Sequence, residues 1–172
     1  MRRAGAPADA RTPYVIDEDP GGRDVVAAAC RSIMDVLEGV AVAAYVDCVS
    51  DLSDEMPPEI RAVEDELGAA NPRGIGVTVE RADAARWELV RTYASWSIYT
   101  DLIDAHGRSL ASFCDSGQSL VAELTAAEAD DLMRRLHGVA RVRLLSELLA
   151  ERHQKRRDQR RARWRQLLRL DH

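Results

Sequence analysis

Large aromatic side chains are scarce in this 172-residue chain, which has one phenylalanine (Phe113), three tryptophans and four tyrosines. That excludes an aromatic core and leaves one built from Ala, Val and Leu, which favours close helix packing. Lysine is nearly missing: of 24 basic residues only Lys155 is not arginine. The skew is what a GC-rich bacterial genome imposes, so an arginine cluster here means less than it would elsewhere. Cysteine is limited to Cys30, Cys48 and Cys114, odd in number, widely spaced and without a CxxC pair. A disulfide framework is excluded, and three reduced thiols packed as small apolar groups in a cytoplasmic protein are expected. No apolar run reaches the roughly 18 residues that span a bilayer. The nearest, 25–46, is interrupted by Arg31, Asp35 and Glu38. No membrane partner is expected, and the basic Met1-Arg2-Arg3 lacks the apolar stretch of a secretory signal.

Catalytic signatures are also lacking. Gly74-Ile75-Gly76 has no third glycine and no following Lys-Ser/Thr, so it reads as a turn and not a phosphate loop. No serine occupies a Gly-x-Ser-x-Gly elbow. Asp101 and Asp104, three apart on a strand, point to opposite faces and cannot form an acid/base pair. His106, His137, His153 and His172 have no ligand spacing, and Asp51, Asp54 and Glu55 lack the glycine and regular oxygens of a calcium loop. The expectation is therefore no catalytic residues, no metal, no cofactor and no enzyme activity.

What is present is an uneven charge. Residues 151–172 hold nine basic and three acidic residues, a net of +6, within a chain of net −5. Subtracting the tail leaves −11 on residues 1–150.

Three segments follow from composition. Residues 1–22, rich in Ala, Pro, Gly and Asp, read as a disordered leader in which only Tyr14-Val15-Ile16 is fit to dock. Residues 23–150 read as a single α+β domain, and 151–172 as a basic C-terminal helical extension. Within the domain, Val26, Cys30, Ile33, Leu37, Val40 and Ala44 alternate spacings of four and three, behind Asp24 as a cap. One long helix is favoured over a helix that ends at Gly39 and is followed by a strand over 40–48. Pro57-Pro58 opens a second helix carrying Ile60, Val63 and Leu67. Residues 75–79 alternate like a strand. Residues 82–94 fit either helix or strand, with helix preferred.

Residues 96–104, 109–114 and 119–124 form a three-stranded antiparallel meander with turns at 105–107 and 115–118. Leu102, Leu110, Phe113, Leu120 and Ala122 are its candidates for the buried side. Thr125-Ala-Ala-Glu128 is a capping box, which starts a helix at Ala126. A last helix runs from about Val139 into the basic tail. The fold class is thus α+β: N-terminal helices, a central three-stranded meander, and C-terminal helices ending in a long basic one.

Between Arg152 and Arg163 every helical face carries cations, so this stretch cannot pack as an amphipathic core helix. It needs solvent, acidic protein surface or phosphate. The terminal Trp164, Leu167, Leu168 and Leu170 favour docking, because bare apolar residues at a chain end usually rest on something. These features point to a non-catalytic protein–protein interaction or adaptor module. Its partner-binding residues would be Arg152, Lys155, Arg156, Arg157, Arg160, Arg161, Arg163, Trp164, Arg165, Leu167 and Leu168. Self-association through Val26, Cys30, Ile33, Leu37 and Val40 would add a homodimer contact. The alternative is a nucleic-acid-binding protein using Arg152 to Arg169, disfavoured because an acidic body repels a polyanion.

Overall fold

A computed structural model describes residues 10–16 and 22–169, with side chains as far as residue 160. The strands are β1 (Thr12–Ile16), β2 (Ala41–Asp47), β3 (Gly76–Glu80), β4 (Tyr99–Asp104), β5 (Ser109–Cys114), β6 (Ser119–Leu124) and β7 (Val142–Leu144). The helices are α1 (Arg23–Val36), α2 (Pro58–Gly68), α3 (Ala84–Tyr93), α4 (Ala126–Arg135) and α5 (Leu145–Arg169). No described helix is long and apolar enough to cross a membrane.

All seven strands join one antiparallel sheet in the order β3-β2-β4-β5-β6-β1-β7. This overturns the expectation of a three-stranded meander between N-terminal and C-terminal helices. The β4–β5–β6 run is only the centre of the sheet. Beta-strands β2 and β3 extend it on one side, β1 and β7 on the other. Of the four extra strands, β3 matches the alternation read over 75–79 and β2 the less favoured reading of 40–48, whereas β1 and β7 lie in segments whose local pattern misleads. Strand β1 sits in the Pro- and Gly-rich stretch read as a leader, yet it is hydrogen-bonded on both sides, by β6 and by β7. Residues 1–9 and 17–21 of that stretch lie outside the described residues. Strand β7 has only three residues and was expected to be the start of the last helix.

The long helix over 24–44 is likewise corrected. Alpha-helix α1 stops at Val36, and the amides of Val40 and Ala41 both bond to the carbonyl of Leu37. From there the chain becomes strand: Ala41, Ala43 and Val46 are buried, while Val42 is 41% exposed. A spacing of four and three happens to link the helix stripe to Val40 and Ala44, but Gly39 and the β-branched Val40, Val42 and Val46 favour the break and the strand.

Helices α1 to α4 lie on one face of the sheet. Ile33, Trp87, Leu67 and Leu132, one from each helix, share a single core with Leu102, Phe113 and Leu120 of the strands. The capping box at Thr125 forms as its sequence requires: Thr125 Oγ1 accepts the Glu128 N–H, and Glu128 Oε2 accepts the Thr125 N–H at 2.8 Å. The β5–β6 turn presses against α1. Asp115, Ser116 and Gly117 are all left-handed, with φ of 52°, 52° and 84°. A Cβ at 117 would stand 2.1 Å from Val26 Cγ1, so glycine is required there for space as well as for φ.

Candidate functional site

Polar side chains converge at the end of the sheet where β4 turns into β5. A cleft of about 530 Å³ there is lined by Arg11, Asp104, His106, Arg108, Thr125 and Glu128, among others. Asp104 Oδ1 accepts the backbone N–H groups of His106 (2.8 Å) and Arg108 (2.9 Å), and its Oδ2 accepts Arg108 Nε at 2.8 Å. The Arg108 backbone bond, reinforced by its guanidinium and by the His106 amide, holds this carboxyl down to about 2. Arg11 grips both oxygens of Glu128, at 2.8 and 2.9 Å, and donates to the Glu123 carbonyl at 2.7 Å. Glu128 and Thr125 are also committed to the α4 cap. Every carboxylate and the hydroxyl are therefore engaged in holding β1, α4 and the β4–β5 turn together. The cleft is an architectural joint. No group of three or more His, Cys, Asp or Glu fit to hold a metal occurs among the described residues.

A second feature is a surface. The face of the sheet opposite helices α1 to α4 carries the alternate residues of each strand. The registers Tyr45↔Thr78, Tyr45↔Asp101, Asp101↔Ser112, Ser112↔Val121, Val121↔Val15 and Val15↔Arg143 run across all seven strands as one row. Asp101 accepts hydrogen bonds from Ser109 Oγ (2.6 Å) and Ser112 Oγ (3.0 Å). Tyr45 donates to Asp47 at 2.8 Å, and its ring lies 6.2 Å from that of Tyr99. Both phenols are pushed above their ordinary value, Tyr45 mainly by its bond to Asp47 and Tyr99 by desolvation and then by the charge of Asp101. Strand alternation puts Asp47, Glu80, Asp101 and Glu123 on this face, with Arg143 at one rim and Arg11 and Arg108 beside Glu123 at the end of the sheet. Carboxylates outnumber cations on the face, and its two tyrosines sit on the adjacent strands β2 and β4.

Helix α5 starts at the rim of that face. Val15 and Leu148 are buried, 6% and 7% exposed, but neither belongs to the main core. They mark a small separate contact in which α5 packs on the open side of β1 and β7. Arg143 pairs with Glu151 across the same junction. Beyond it the helix leaves the body, and every residue from Glu151 to Arg160 is exposed. Arg152, Lys155, Arg156, Arg157 and Arg160 therefore stand on a projecting helix. Arg161, Arg163, Trp164, Arg165, Leu167 and Leu168 belong to the same helix, and their side chains lie outside the described residues.

The self-association stripe is placed differently. Val26, Cys30, Ile33 and Leu37 are at most 6% exposed and form the α1 share of the core. Burial pushes the Cys30 thiol up to about 12. Only Val40 is exposed, and it lies beyond the helix end. Four of the five stripe residues are thus consumed in the core of the chain itself. What sequence reasoning missed is the open face of Tyr45, Tyr99, Asp101 and Glu123. The signal was the polar Tyr99, Asp101, Ser112, Ser119 and Glu123 at alternate positions of β4 to β6, but it needed a register to become a surface.

Protein-family models, curated proteins and solved structures were all compared with this chain, and none matches. Fold and site define an architectural class: an α+β sandwich of one helical layer on one seven-stranded antiparallel sheet. Among the described residues its second sheet face is covered only at β1 and β7, by the base of a projecting helix that begins at the rim of that face.

Proposed function

We propose that this chain is a non-catalytic protein–protein interaction module that docks through α5. The observation that carries this reading is a run of ten consecutive helical residues, 151–160, exposed on every face and joined to an acidic body. An isolated helix rich in like charges is marginal in water, because cations three and four apart repel by a few tenths of a kcal/mol per pair. A segment of this kind gains order from a surface that neutralises it. Acidic protein surface suits it better than nucleic acid, since a polyanion approaching α5 also meets the repulsion of the −11 body. Three free thiols, one of them fully buried, support a reducing, cytoplasmic setting.

The test is affinity capture from a bacterial lysate with the intact chain and with Arg156→Glu/Arg157→Glu/Arg160→Glu. Specific capture of acidic proteins or of the chain itself by the intact form, lost in the triple variant, supports the reading. Equal capture by both forms overturns it. Nucleic acid in the eluate, released with a log–log salt slope near about −4 as expected for four to five phosphates, would move the assignment to nucleic-acid binding.

A further inference from the structure

The acidic open face and the basic helix have complementary chemistry, and among the described residues one molecule does not join them: past the Arg143–Glu151 pair α5 leaves its own face at β1 and β7, and residues 153–160 are exposed. We infer that α5 of one copy docks on the open sheet face of a second copy, and reciprocally, to form a two-fold dimer. This rests on the interaction-module reading above and names its partner.

Four observations favour a second copy as the occupant. The first is charge. The face presents Asp47, Glu80, Asp101 and Glu123, with Arg143 at one rim and Arg11 and Arg108 at the end of the sheet, while residues 152–160 of α5 carry five cations and one carboxylate. The second is side-chain type. Arginine, which supplies most of those cations, stacks on aromatic faces as well as pairing with carboxylates, and the paired Tyr45 and Tyr99 rings sit between Asp47 and Asp101.

Reach is the third. The part of α5 beyond Glu151 extends about 27 Å at 1.5 Å per residue. From β1 to β3 the sheet is about 24 Å wide at 4.8 Å per strand gap. One helix can therefore cover the face from the rim to the far edge. The fourth is symmetry: a helix starting at the rim of the very face it would cover on its partner gives a self-complementary, closed contact. Two such contacts form together, which helps reach the roughly 1,200 Å² that a stable interface needs.

Light scattering coupled to size exclusion tests the dimer on the full chain at micromolar concentration. A dimer is expected at about 50 mM salt, with its dissociation constant weakened at least about tenfold by 0.5 M salt as screening shortens the Debye length. Asp101→Arg/Glu123→Arg should be monomeric, and so should Arg156→Glu/Arg157→Glu/Arg160→Glu. Mixing the two variants should restore a dimer, because each reversed helix then meets a reversed face. Circular-dichroism melts of both variants establish folding, and the salt series on the unaltered chain stands without them.

A monomer at low salt, or two variants that stay dimeric, would overturn the inference. So would a mixture of folded variants that fails to associate. The interaction-module reading fails separately. If the intact chain is monomeric yet its capture of another protein is lost on reversing the α5 charges, that reading stands and only the self-docking falls.

Discussion

Thr100 lies on the covered face of β4, between Val46 and Phe113, fully buried and with no hydrogen-bond partner for its hydroxyl. A buried donor left unmatched costs about 1–3 kcal/mol, while valine fills the same shape without it. Thr100→Val is therefore expected to stabilise the fold by about 1 kcal/mol, read as a rise of about 2–4 °C in the thermal midpoint. Asp104 works in the opposite sense. Its carboxylate receives two backbone amides and a guanidinium, so its folded value lies below the ordinary 3.8, at about 2. A group depressed by folding adds stability above its unfolded value and loses that contribution as pH falls through its folded value. Asp104→Asn should thus be less stable than the parent at pH 7, by a margin that holds down to about pH 4 and shrinks from there to about pH 2. Urea melts over a pH series check this, and a margin constant down to pH 2 would show that the amides and guanidinium do not act through the charge.

Strand β1 is the element on which the sheet's second half depends. It pairs with β6 and with β7, and Arg11 just before it clamps Glu128 of α4. Removing residues 1–16 should therefore release β7 and the base of α5 and lower the thermal midpoint by well over about 5 °C, since ladder bonds and the burial of Val15 and Ile16 go together. Removal of residues 1–9 alone, which spares the strand and Arg11, is the control that separates the contribution of β1 from that of the residues before it. The α4 cap is smaller in scale: Thr125→Ala is expected to cost about 1 kcal/mol in the same melts. The sequence pattern announces this cap plainly, because Thr125 and Glu128 satisfy each other's backbone over three residues. The hairpin turns are equally local, with Gly107 and Gly117 both at positive φ. Strands β1 and β7 escape such reading because they are specified by partners about a hundred or more residues away. Alpha-helix α1 was overextended for a related reason. Helical spacing alone continues through Val40 and Ala44, and only the sheet decides that Ala44 is a strand residue beside Leu102 and Val79.

At the scale of the whole molecule, stability and association are separate properties carried by different parts of the chain. The core lies between α1 to α4 and the sheet, whereas among the described residues α5 meets the body through its first two turns, with Leu148 buried and Glu151 paired to Arg143. Truncation after Glu151 keeps those contacts and removes all nine basic residues of the tail, so the body's negative charge is left uncompensated. The truncated chain should melt within about 2 °C of the parent when the parent is dilute enough to be monomeric. At higher concentration the two should diverge. A parent whose native state dimerises gains stability by mass action, so its midpoint rises with protein concentration, whereas that of the truncated chain stays fixed. Salt sharpens the contrast, because screening weakens the helix-to-face attraction in the parent and relieves self-repulsion in the acidic truncated body. Added salt should therefore lower the parent's concentration dependence and raise the truncated chain's midpoint. Scanning calorimetry at several protein and salt concentrations reads both trends. If the parent's midpoint proves independent of its own concentration, α5 serves a partner other than itself.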